Sequence, residues 1–296
     1  MIVVTGATGH FGKATIDFLL KKGVLASNIS ALVRDISKAD DLKAKGVNIK
    51  TGNYDDYASL SAAFKNADKV LLVSGTDIAN RQQQQENAVK AAKEAGVKHI
   101  VYTSFVRRNE TETSPIAAVA KSHIETEKYI KASGIPYTIM LNSLYADVLP
   151  MFVGEKVLET GIFFPAGDGK TSFATRLDMA EAAASILAGE GHENKAYVVA
   201  NSSKYSLTDV AAILSEVSGK KITYTSPATE VYIETLSQAG VPMEYAGVFA
   251  GFGGAIKQGE FDTATSDLEK LIGRKPTSLK DYLKSVYSYN PEPVNS

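Results

Sequence analysis

The sequence predicts an α/β protein with a doubly wound parallel sheet and a smaller, mainly helical C-terminal region. Three observations predict this fold class. Short apolar runs alternate with helical patterns through the first half of the 296-residue chain. Most of these runs are apolar at successive positions, as in strands that helices cover on both faces. The length fits one large domain or two medium ones, at about 150 residues per domain.

The predicted strands are short apolar runs that end in polar or glycine-containing segments. The first half of the chain contributes Ile2–Thr5, Ser30–Arg34, Val47–Thr51, Lys69–Ser74, His99–Ser104 and Tyr137–Leu141. The second half adds Ala196–Ala200. Because alternating strands and helices build βαβ units, we expect these strands to lie parallel in one sheet.

The predicted helices are identified by apolar spacing and by their ends. In the first helix an i, i+3, i+4, i+7, i+8 pattern forms one apolar stripe, made of Phe11, Ala14, Thr15, Phe18 and Leu19. The other predicted helices are Ser59–Phe64, Gln82–Ala95, Ser122–Ser133, Asp178–Ala188 and the segment from the N-cap Ser206 to Gly219. The run Gln82–Gln85 is interpreted as a solvated helix face.

Composition and charge exclude several classes of protein. With 44% hydrophobic and 22% charged residues, the chain is not a disordered protein. Its net charge of −1 gives no general attraction to nucleic acid or to an anionic membrane. The absence of cysteine excludes disulfides, a thiolate nucleophile and cysteine-ligated metal. No apolar run reaches the roughly 18 residues of a membrane span, so we expect a soluble cytoplasmic protein.

A glycine-rich turn follows the first predicted strand and precedes the first helix. Residues 5–12 read T-G-A-T-G-H-F-G, with glycines spaced G-x-x-G-x-x-G. Such glycines allow a tight turn and a close approach of the backbone to a pyrophosphate, and the helix N-terminus offers free N–H groups to it. The strand–turn–helix context favours a dinucleotide site over an ordinary turn. The predicted contacts are Gly6, Thr8, Gly9, His10, Phe11 and Gly12.

The end of the second predicted strand indicates which dinucleotide binds. A site for NAD usually has an Asp or Glu about 20 residues after the loop, where it binds the ribose 2′-hydroxyl. Here the strand ends in Arg34, whose guanidinium suits a 2′-phosphate and can stack on adenine. The sequence therefore favours NADP(H). The neighbouring Asp35 keeps NAD(H) open, and an ordinary surface arginine is the other interpretation of Arg34.

Three more predicted strands lead into polar or small residues. Ligands of doubly wound sheets lie beyond the carboxyl ends of the strands, so these residues are candidates for the rest of the cofactor site. They are Asn53 and Tyr54 beside the adenine, Ser74 and Gly75 along the cofactor channel, and Thr103 and Ser104 near the nicotinamide. Each pair is equally well explained as an ordinary strand-end loop.

These elements divide the chain into two predicted regions. Residues 1–150 form an NAD(P)-binding Rossmann domain, to which residues 170–200 return. Residues 151–169 and 201–289 form a substrate-binding region. Residues 290–296 are polar, contain two prolines and are predicted to be a flexible tail.

The chain resembles the NmrA-like group of atypical short-chain dehydrogenases/reductases, and within it the members that reduce quinones and triphenylmethane dyes. The resemblance covers the chain to about Tyr282. It is carried by Val4–Gly9, Ile29–Arg34, Gly96–Ser104, His123–Glu127, Gly191–Lys195 and Leu214–Lys221. It implies an NADPH-dependent reductase without flavin or metal that acts on quinones or dye-like conjugated electrophiles.

The resemblance also assigns individual residues. It gives Arg34 the 2′-phosphate contact, and it carries a His-x-x-x-Glu pair over to His123 and Glu127. An Asn-x-x-Tyr pair carries over to Asn142 and Tyr145. The chain departs from its relatives at Leu141, where an arginine is usual, so the position of that charge is left open.

The candidate catalytic residues are His123 and Tyr145. No tyrosine in the chain has a lysine four positions later, so ketone reduction through the tyrosine–lysine pair of related enzymes is not expected. A quinone needs mainly positioning in a dry site. The imidazole of His123, with an ordinary pKa of about 6.5, would protonate or polarise the substrate oxygen. Tyr145 would bind the same oxygen or stack on the ring.

Purely structural roles for these residues remain alternatives. His123 could satisfy a carbonyl group, and Tyr145 could be a core aromatic. The candidate walls of an apolar pocket, which are equally core candidates, are Phe105, Tyr145, Met151, Phe152 and Phe163. The four histidines have no metal-ligand spacing, so no metal site is expected.

Two other functions compete with the reductase. One is a non-catalytic NADP(H)-sensing regulator that acts through a protein partner. The other is an epimerase or lyase with tightly held NAD, which the missing tyrosine–lysine pair and Arg34 disfavour. The oligomeric state is open, with a homodimer as one option.

Overall fold

A seven-stranded parallel sheet forms the centre of the molecule, in the order β3-β2-β1-β4-β5-β6-β8. The computed structural model describes residues 1–288, so the predicted tail at 290–296 lies outside the described residues. The strands are β1 Ile2–Val4, β2 Ile29–Val33, β3 Asn48–Thr51, β4 Lys69–Leu72, β5 His99–Phe105, β6 Tyr137–Asn142, β7 Ile162–Phe163, β8 Lys195–Val199 and β9 Tyr224–Thr225. Strands β7 and β9 pair in a small separate sheet.

Helices cover both faces of the main sheet and build the C-terminal region. They are α1 His10–Lys21, α2 Asp40–Ala44, α3 Tyr57–Phe64, α4 Arg81–Glu94, α5 Ala117–Ser133, α6 Leu149–Val153, α7 Val157–Thr160, α8 Arg176–Ala188, α9 Leu207–Ser218, α10 Thr229–Gln238, α11 Met243–Lys257, α12 Leu268–Ile272 and α13 Leu279–Tyr287. The predicted helices and strands are all present, with ends that differ by a few residues.

Alternate residues of each strand face opposite helical layers, because side chains alternate across a strand. On one face, residues such as Val4 and Val101 pack with helices α1 and α8. On the other face, residues such as Val3 and Ile100 pack with α3, α4 and α5. This arrangement confirms the predicted doubly wound sheet. It also brings the carboxyl ends of β1, β2, β4, β5 and β6 to one edge.

Helix α5 begins at Ala117, five residues before the predicted start at Ser122. Its N-cap is Ile116, and no side chain caps the helix. Because start signals are chiefly capping side chains, the sequence does not mark this boundary. The segment 151–169, predicted only as an excursion, contains the end of α6, all of α7 and strand β7.

A third apolar cluster forms the core of the C-terminal region, with Phe152, Phe164, Leu214 and Ile256 among its members. The glycine-dense helix α11 packs on it and on two loops. A Cβ at Gly251 would lie 2.7 Å from the carbonyl oxygen of Pro115, in the loop before α5. The glycines of α11 therefore allow backbone contact with the loop that leads into α5.

No helix within residues 1–288 is both long enough and apolar enough to span a bilayer.

Candidate active site

The glycine turn lies between β1 and α1. At Gly6 and Gly12 the backbone conformation and the close packing leave no room for a larger residue. A Cβ at Gly12 would lie 2.4 Å from the carbonyl oxygen of Gly6, and Gly6 itself has a φ of +58°. No side chain caps α1, and Lys13 N–H donates the first intrahelical bond, to Gly9 O at 3.0 Å. The preceding N–H groups at the helix start are therefore free to bind an anion. A pyrophosphate fits this cradle.

Of the predicted contacts in this turn, Thr8 and His10 are exposed. Phe11 is buried in the cluster between the sheet and α1, so only its backbone N–H faces the helix start. The predicted contact of Phe11 with the cofactor can therefore involve its main chain and not its ring.

Arg34 follows the last residue of β2 and is exposed. Within the described part of the chain its guanidinium has no carboxylate within salt-bridge distance. The carboxylate of the neighbouring Asp35 accepts hydrogen bonds from Ser37 N–H at 2.9 Å and Ser37 Oγ at 2.6 Å. These bonds commit Asp35 to its own turn and leave Arg34 available.

Tyr54 ties three strand ends together. Its hydroxyl lies 2.6 Å from Thr5 Oγ1 and 2.7 Å from the carbonyl oxygen of Val73. Burial raises the pKa of Tyr54, and the nearby Arg34 cation opposes that rise. The side-chain oxygen of Asn53 accepts hydrogen bonds from the N–H groups of Asp55 and Asp56, and these bonds fix the conformation of the loop after β3. The pair predicted beside the adenine therefore borders the turn and lies near Arg34.

The two residues predicted at the end of β5 point to opposite sides of the sheet. Thr103 Oγ1 accepts a hydrogen bond from Ser74 N–H at 2.8 Å, so it lies beside the loop Ser74–Gly75. Ser104 instead donates its hydroxyl proton to Glu127 on α5. The alternation of strand side chains thus separates them, and only Thr103 joins the predicted channel.

Arg107 and Glu127 form a buried ion pair below Ser104. Their side chains are 4% and 10% exposed. Arg107 Nη1 and Nη2 donate to Glu127 Oε1 and Oε2 at 2.9 and 3.0 Å. Leu141 is the β6 register partner of Ser104, so an arginine there would lie on this face of the sheet. Arg107 therefore places a positive charge on this face of the sheet, paired with Glu127.

Leu141, Arg107 and Glu127 border a cavity of ≈ 430 Å³ beside α5. Phe105 also lines this cavity, and its ring meets the ring of His123 edge-on at 5.0 Å. The cavity and His123 are therefore neighbours across one aromatic side chain.

His123 lies on α5 and is only 5% exposed. Its Nδ1 is 2.7 Å from the hydroxyl of Tyr102. Burial lowers the pKa of His123 well below its ordinary value, and the cations Arg81 and Arg107 lower it further. The lowered pKa disfavours one of the two predicted roles, proton donation by an imidazolium, and favours the other, in which the neutral side chain polarises the substrate oxygen as a hydrogen-bond donor.

Arg81 is a site residue that the sequence interpretation missed. Its guanidinium is buried and donates to Ser122 Oγ at 2.8 Å, to Val119 O at 2.7 Å and to Gly75 O at 3.3 Å. It therefore links the start of α4 to the Gly75 loop and to α5. The only signal was a basic residue at the head of a glutamine-rich helix.

The predicted solvated face holds for only part of the glutamine run after Arg81. Gln82 is half-buried and Gln83 is exposed, whereas Gln84 and Gln85 are buried. Gln84 Nε2 donates to Asp55 at 3.0 Å and Gln85 Nε2 donates to Arg81 O at 3.1 Å. The prediction was wrong for Gln84 and Gln85 because their face of α4 is turned toward the protein, where the amides form buried hydrogen bonds.

Asn142 ends β6 with a side chain that is only 2% exposed. Within residues 1–288 neither amide atom has a partner that satisfies both hydrogen-bond distance and angle, although the Tyr145 side chain lies close to the amide. Because buried polar groups nearly always have partners, an orphaned amide at the sheet edge fits a ligand that carries complementary groups. A nicotinamide carboxamide is such a group.

Tyr145 does not share an environment with His123. Its ring packs with the cluster on the α1–α8 face, and the guanidinium carbon of Arg176 lies 4.9 Å from its centroid. Burial raises the pKa of Tyr145, and the nearby amide of Asn142 and the Arg176 cation oppose that rise. His123 belongs to the other helical layer, so the two candidate catalytic residues do not contact each other.

The residues predicted to form the walls of an apolar pocket differ in exposure and do not lie in one place. Met151 is 53% exposed, whereas Phe152 is buried in the C-terminal core. Phe105 packs near two aromatic residues that the sequence interpretation missed. The ring centroids of Phe105 and Phe261 are 6.4 Å apart, and Phe252 stacks on Phe261 with a centroid distance of 6.2 Å. This aromatic series joins His123 to α11.

No group of three or more His, Cys, Asp or Glu side chains that could hold a metal ion occurs within residues 1–288.

Comparison with known proteins identifies the family. The profile of the NmrA-like family matches residues 1–285. The chain belongs to the NmrA-like family. This NmrA-like protein is 40% identical over 292 residues to quinone oxidoreductase 2 of Escherichia coli strain K12, covering 98% of this chain and 100% of that protein. It is 29% identical over 286 residues to an NAD(P)H azoreductase of Xenophilus azovorans, covering 96% and 97%.

Solved structures agree with the sequence relatives. The triphenylmethane reductase of Citrobacter sp., complexed with NADP(H), superposes on the NmrA-like protein with a TM-score of 0.88 at 41% identity, covering 96% of this chain and 99% of that one. The Escherichia coli NADPH-dependent quinone oxidoreductase, complexed with NADPH, gives 0.89 at 37% identity, covering 97% and 100%. These findings confirm the predicted resemblance.

Proposed function

We propose that this NmrA-like protein is an NADPH-dependent reductase that transfers hydride to a quinone or to a dye-like conjugated electrophile. The observation that carries the proposal is the uncapped glycine cradle at the start of α1 with the unpaired Arg34 guanidinium at the end of β2. An uncapped helix start favours the pyrophosphate, and a free guanidinium favours the 2′-phosphate. The relatives that reduce quinones and triphenylmethane dyes support the same assignment.

Each candidate residue then has a proposed role in holding the cofactor. Main-chain N–H groups at His10–Gly12 bind the pyrophosphate, while Arg34 binds the 2′-phosphate. Tyr54 and Asn53 border the adenine. Ser74, Gly75 and Thr103 line the channel, and the orphaned amide of Asn142 binds the carboxamide of the nicotinamide. When bound, NADPH supplies a hydride at the nicotinamide C4.

The chain's own residues act mainly on the acceptor. His123 is neutral and donates a hydrogen bond to the substrate oxygen, which carries more negative charge as the acceptor takes up hydride. The quinone gains two electrons and becomes a hydroquinone anion, and solvent supplies the proton that completes the hydroquinone. This route needs no tyrosine–lysine pair. Tyr145 is proposed to contact the acceptor ring from the opposite layer.

Steady-state kinetics test the proposal. NADPH oxidation is followed spectrophotometrically with a panel of benzoquinones, naphthoquinones and one triphenylmethane dye. We expect acceptor-dependent oxidation with at least one of them, without added flavin or metal. Absence of turnover across the panel, when calorimetry shows NADPH bound, would contradict the reductase function.

The sensor alternative is not favoured, because the relatives at 40% and 29% identity are named quinone oxidoreductase 2 and NAD(P)H azoreductase. A cytoplasmic location, proposed from the cysteine-free composition, is tested by cell fractionation. A homodimer stays a prediction that analytical ultracentrifugation tests.

A further inference from the structure

We infer that Tyr102 is a positioning residue for the reduction: its hydroxyl donates to His123 Nδ1 and thereby fixes the tautomer that presents Nε2–H to the acceptor. The inference rests on the proposed function and adds the residue that sets the chemistry of its hydrogen-bond donor. Tyr102 lies on β5 and His123 on α5, so the bond joins the sheet to the helix that carries the candidate donor.

The hydrogen-bond inventory of Tyr102 decides the direction of the bond. A buried tyrosine has one O–H proton to place on an acceptor. Tyr102 is fully buried, and within residues 1–288 the one hydrogen bond of its hydroxyl that satisfies both distance and angle joins it to His123 Nδ1 at 2.7 Å. The side chains of Thr126 and Gln85 also lie close to this hydroxyl. Burial raises the pKa of Tyr102, so the phenol keeps its proton. The hydroxyl therefore donates, and Nδ1 accepts.

A neutral imidazole that accepts at Nδ1 carries its proton on Nε2. Within the described residues Nε2 has no hydrogen-bond partner, and the edge-on ring of Phe105 lies beside the imidazole. The proton on Nε2 is therefore free for an acceptor oxygen. In the other tautomer a lone pair would meet that oxygen, and the interaction would be repulsive.

Two buried guanidinium groups keep the imidazole from taking a second proton. Arg81 is held by Ser122 and Val119, which precede His123 on the same helix. Arg107 is held by Glu127, one turn after His123. A protonated His123 would be repelled by both guanidinium groups and would also be deprived of water by burial. Because the charged form of His123 is excluded, the hydrogen bond from Tyr102 decides which ring nitrogen of the neutral form carries the proton.

The sharpest measurement is on the wild-type protein. Nitrogen-15 NMR of the imidazole distinguishes the two neutral tautomers and the imidazolium. We expect His123 to be the Nε2–H tautomer at neutral pH, both free and with NADP⁺. An Nδ1–H tautomer or an imidazolium would overturn the inference without any substitution.

Kinetics of the variant Tyr102→Phe test the consequence for the reaction. The substitution removes the hydroxyl and keeps the ring. We expect kcat for quinone reduction to fall about 10-fold or more, with an unchanged Kd for NADPH and a mixed tautomer population at His123. The matched control is Tyr232→Phe, since Tyr232 is also buried and has no hydroxyl hydrogen bond within the described residues. It should retain the wild-type kcat.

A double variant separates positioning from a structural role. If Tyr102 acts through His123, Tyr102→Phe has no further effect on kcat in a His123→Gln background. A full additional loss of kcat there, or a wild-type kcat for Tyr102→Phe alone, would overturn the inference. If the wild type reduces no acceptor, the proposed function fails, while the nitrogen shifts still decide whether Tyr102 fixes the tautomer.

Discussion

Arg107 and Glu127 form a bidentate ion pair, with Nη1–Oε1 and Nη2–Oε2 distances of 2.9 and 3.0 Å. The same carboxylate accepts the proton of Ser104 Oγ at the end of β5. The pair therefore fixes the loop after β5 to helix α5, directly beside the neutral His123. A guanidinium donates two parallel hydrogen bonds in a fixed geometry in addition to its charge, whereas a lysine supplies the charge without that fixed geometry.

Removing Arg107 should destabilise the protein strongly. Arg107→Ala leaves a buried carboxylate without its cation, and we expect the free energy of unfolding to fall by about 3 kcal/mol. Adding Leu141→Arg, at the register partner of Ser104, should restore part of the loss. Urea unfolding measures both. The exposed pair of Lys98 with Asp68 serves as control, because solvent screens it and Lys98→Ala should change stability far less than Arg107→Ala. Equal losses in the two alanine variants would contradict the assignment.

Replacing Arg34 should change the choice of cofactor. In Arg34→Gln the 2′-phosphate loses a charge-assisted hydrogen bond, so we expect the Kd for NADPH to rise about 10- to 100-fold. The Kd for NADH should change little, because it has no 2′-phosphate. Isothermal titration calorimetry gives both constants. Lys38→Gln, an exposed cation on the same turn, is the control. An equal loss for NADH and NADPH would show that Arg34 does not contact the phosphate.

Gly12→Ala should abolish cofactor binding. The new Cβ would lie 2.4 Å from Gly6 O, so α1 must move away from the turn that forms the cradle. We expect a lower melting temperature and no measurable heat of NADPH binding. Gly247→Ala is the matched control, since it lies in α11 with nothing within 4 Å of the added carbon. It should be neutral or stabilising by up to about 1 kcal/mol. Normal NADPH binding by Gly12→Ala would contradict the proposed cradle.

The protein should lose stability as the pH falls from about 6.5 to 4. Burial lowers the pKa of His99 to about 4, and Lys69 contributes. The unfolded chain binds a proton near pH 6.5, whereas the folded protein resists it until about pH 4. The stability contributed by neutral His99 is therefore complete above pH 6.5 and is lost as the pH falls through that window.

Unfolding midpoints in urea at several pH values measure this effect. His99→Gln should flatten the dependence, although burial also lowers the pKa of His192 and of His123, so part of the slope remains. The exposed His10→Gln is the control and should retain the wild-type slope. An unchanged slope in His99→Gln would exclude His99 as a source of the acid sensitivity.

The fold and half of the site could be predicted from the sequence. The parallel sheet followed from apolar runs that alternate with helical patterns, and the cofactor turn followed from glycines with a strand before them and a helix after them. Arg34 was identified because it comes directly after a strand. These signals are local: each depends on residues within about one turn or one strand of each other.

The sequence by itself determined the order of the strands along the chain, the glycine turn before α1 and the arginine that directly follows β2. Only the tertiary structure decided the state of His123. Its neutral form results from burial and from Arg81 and Arg107, which come from other segments, while Tyr102 is 21 residues away in the chain. A pKa and a tautomer depend on which charges and hydrogen-bond partners surround a group in space, and no spacing along the sequence specifies those neighbours.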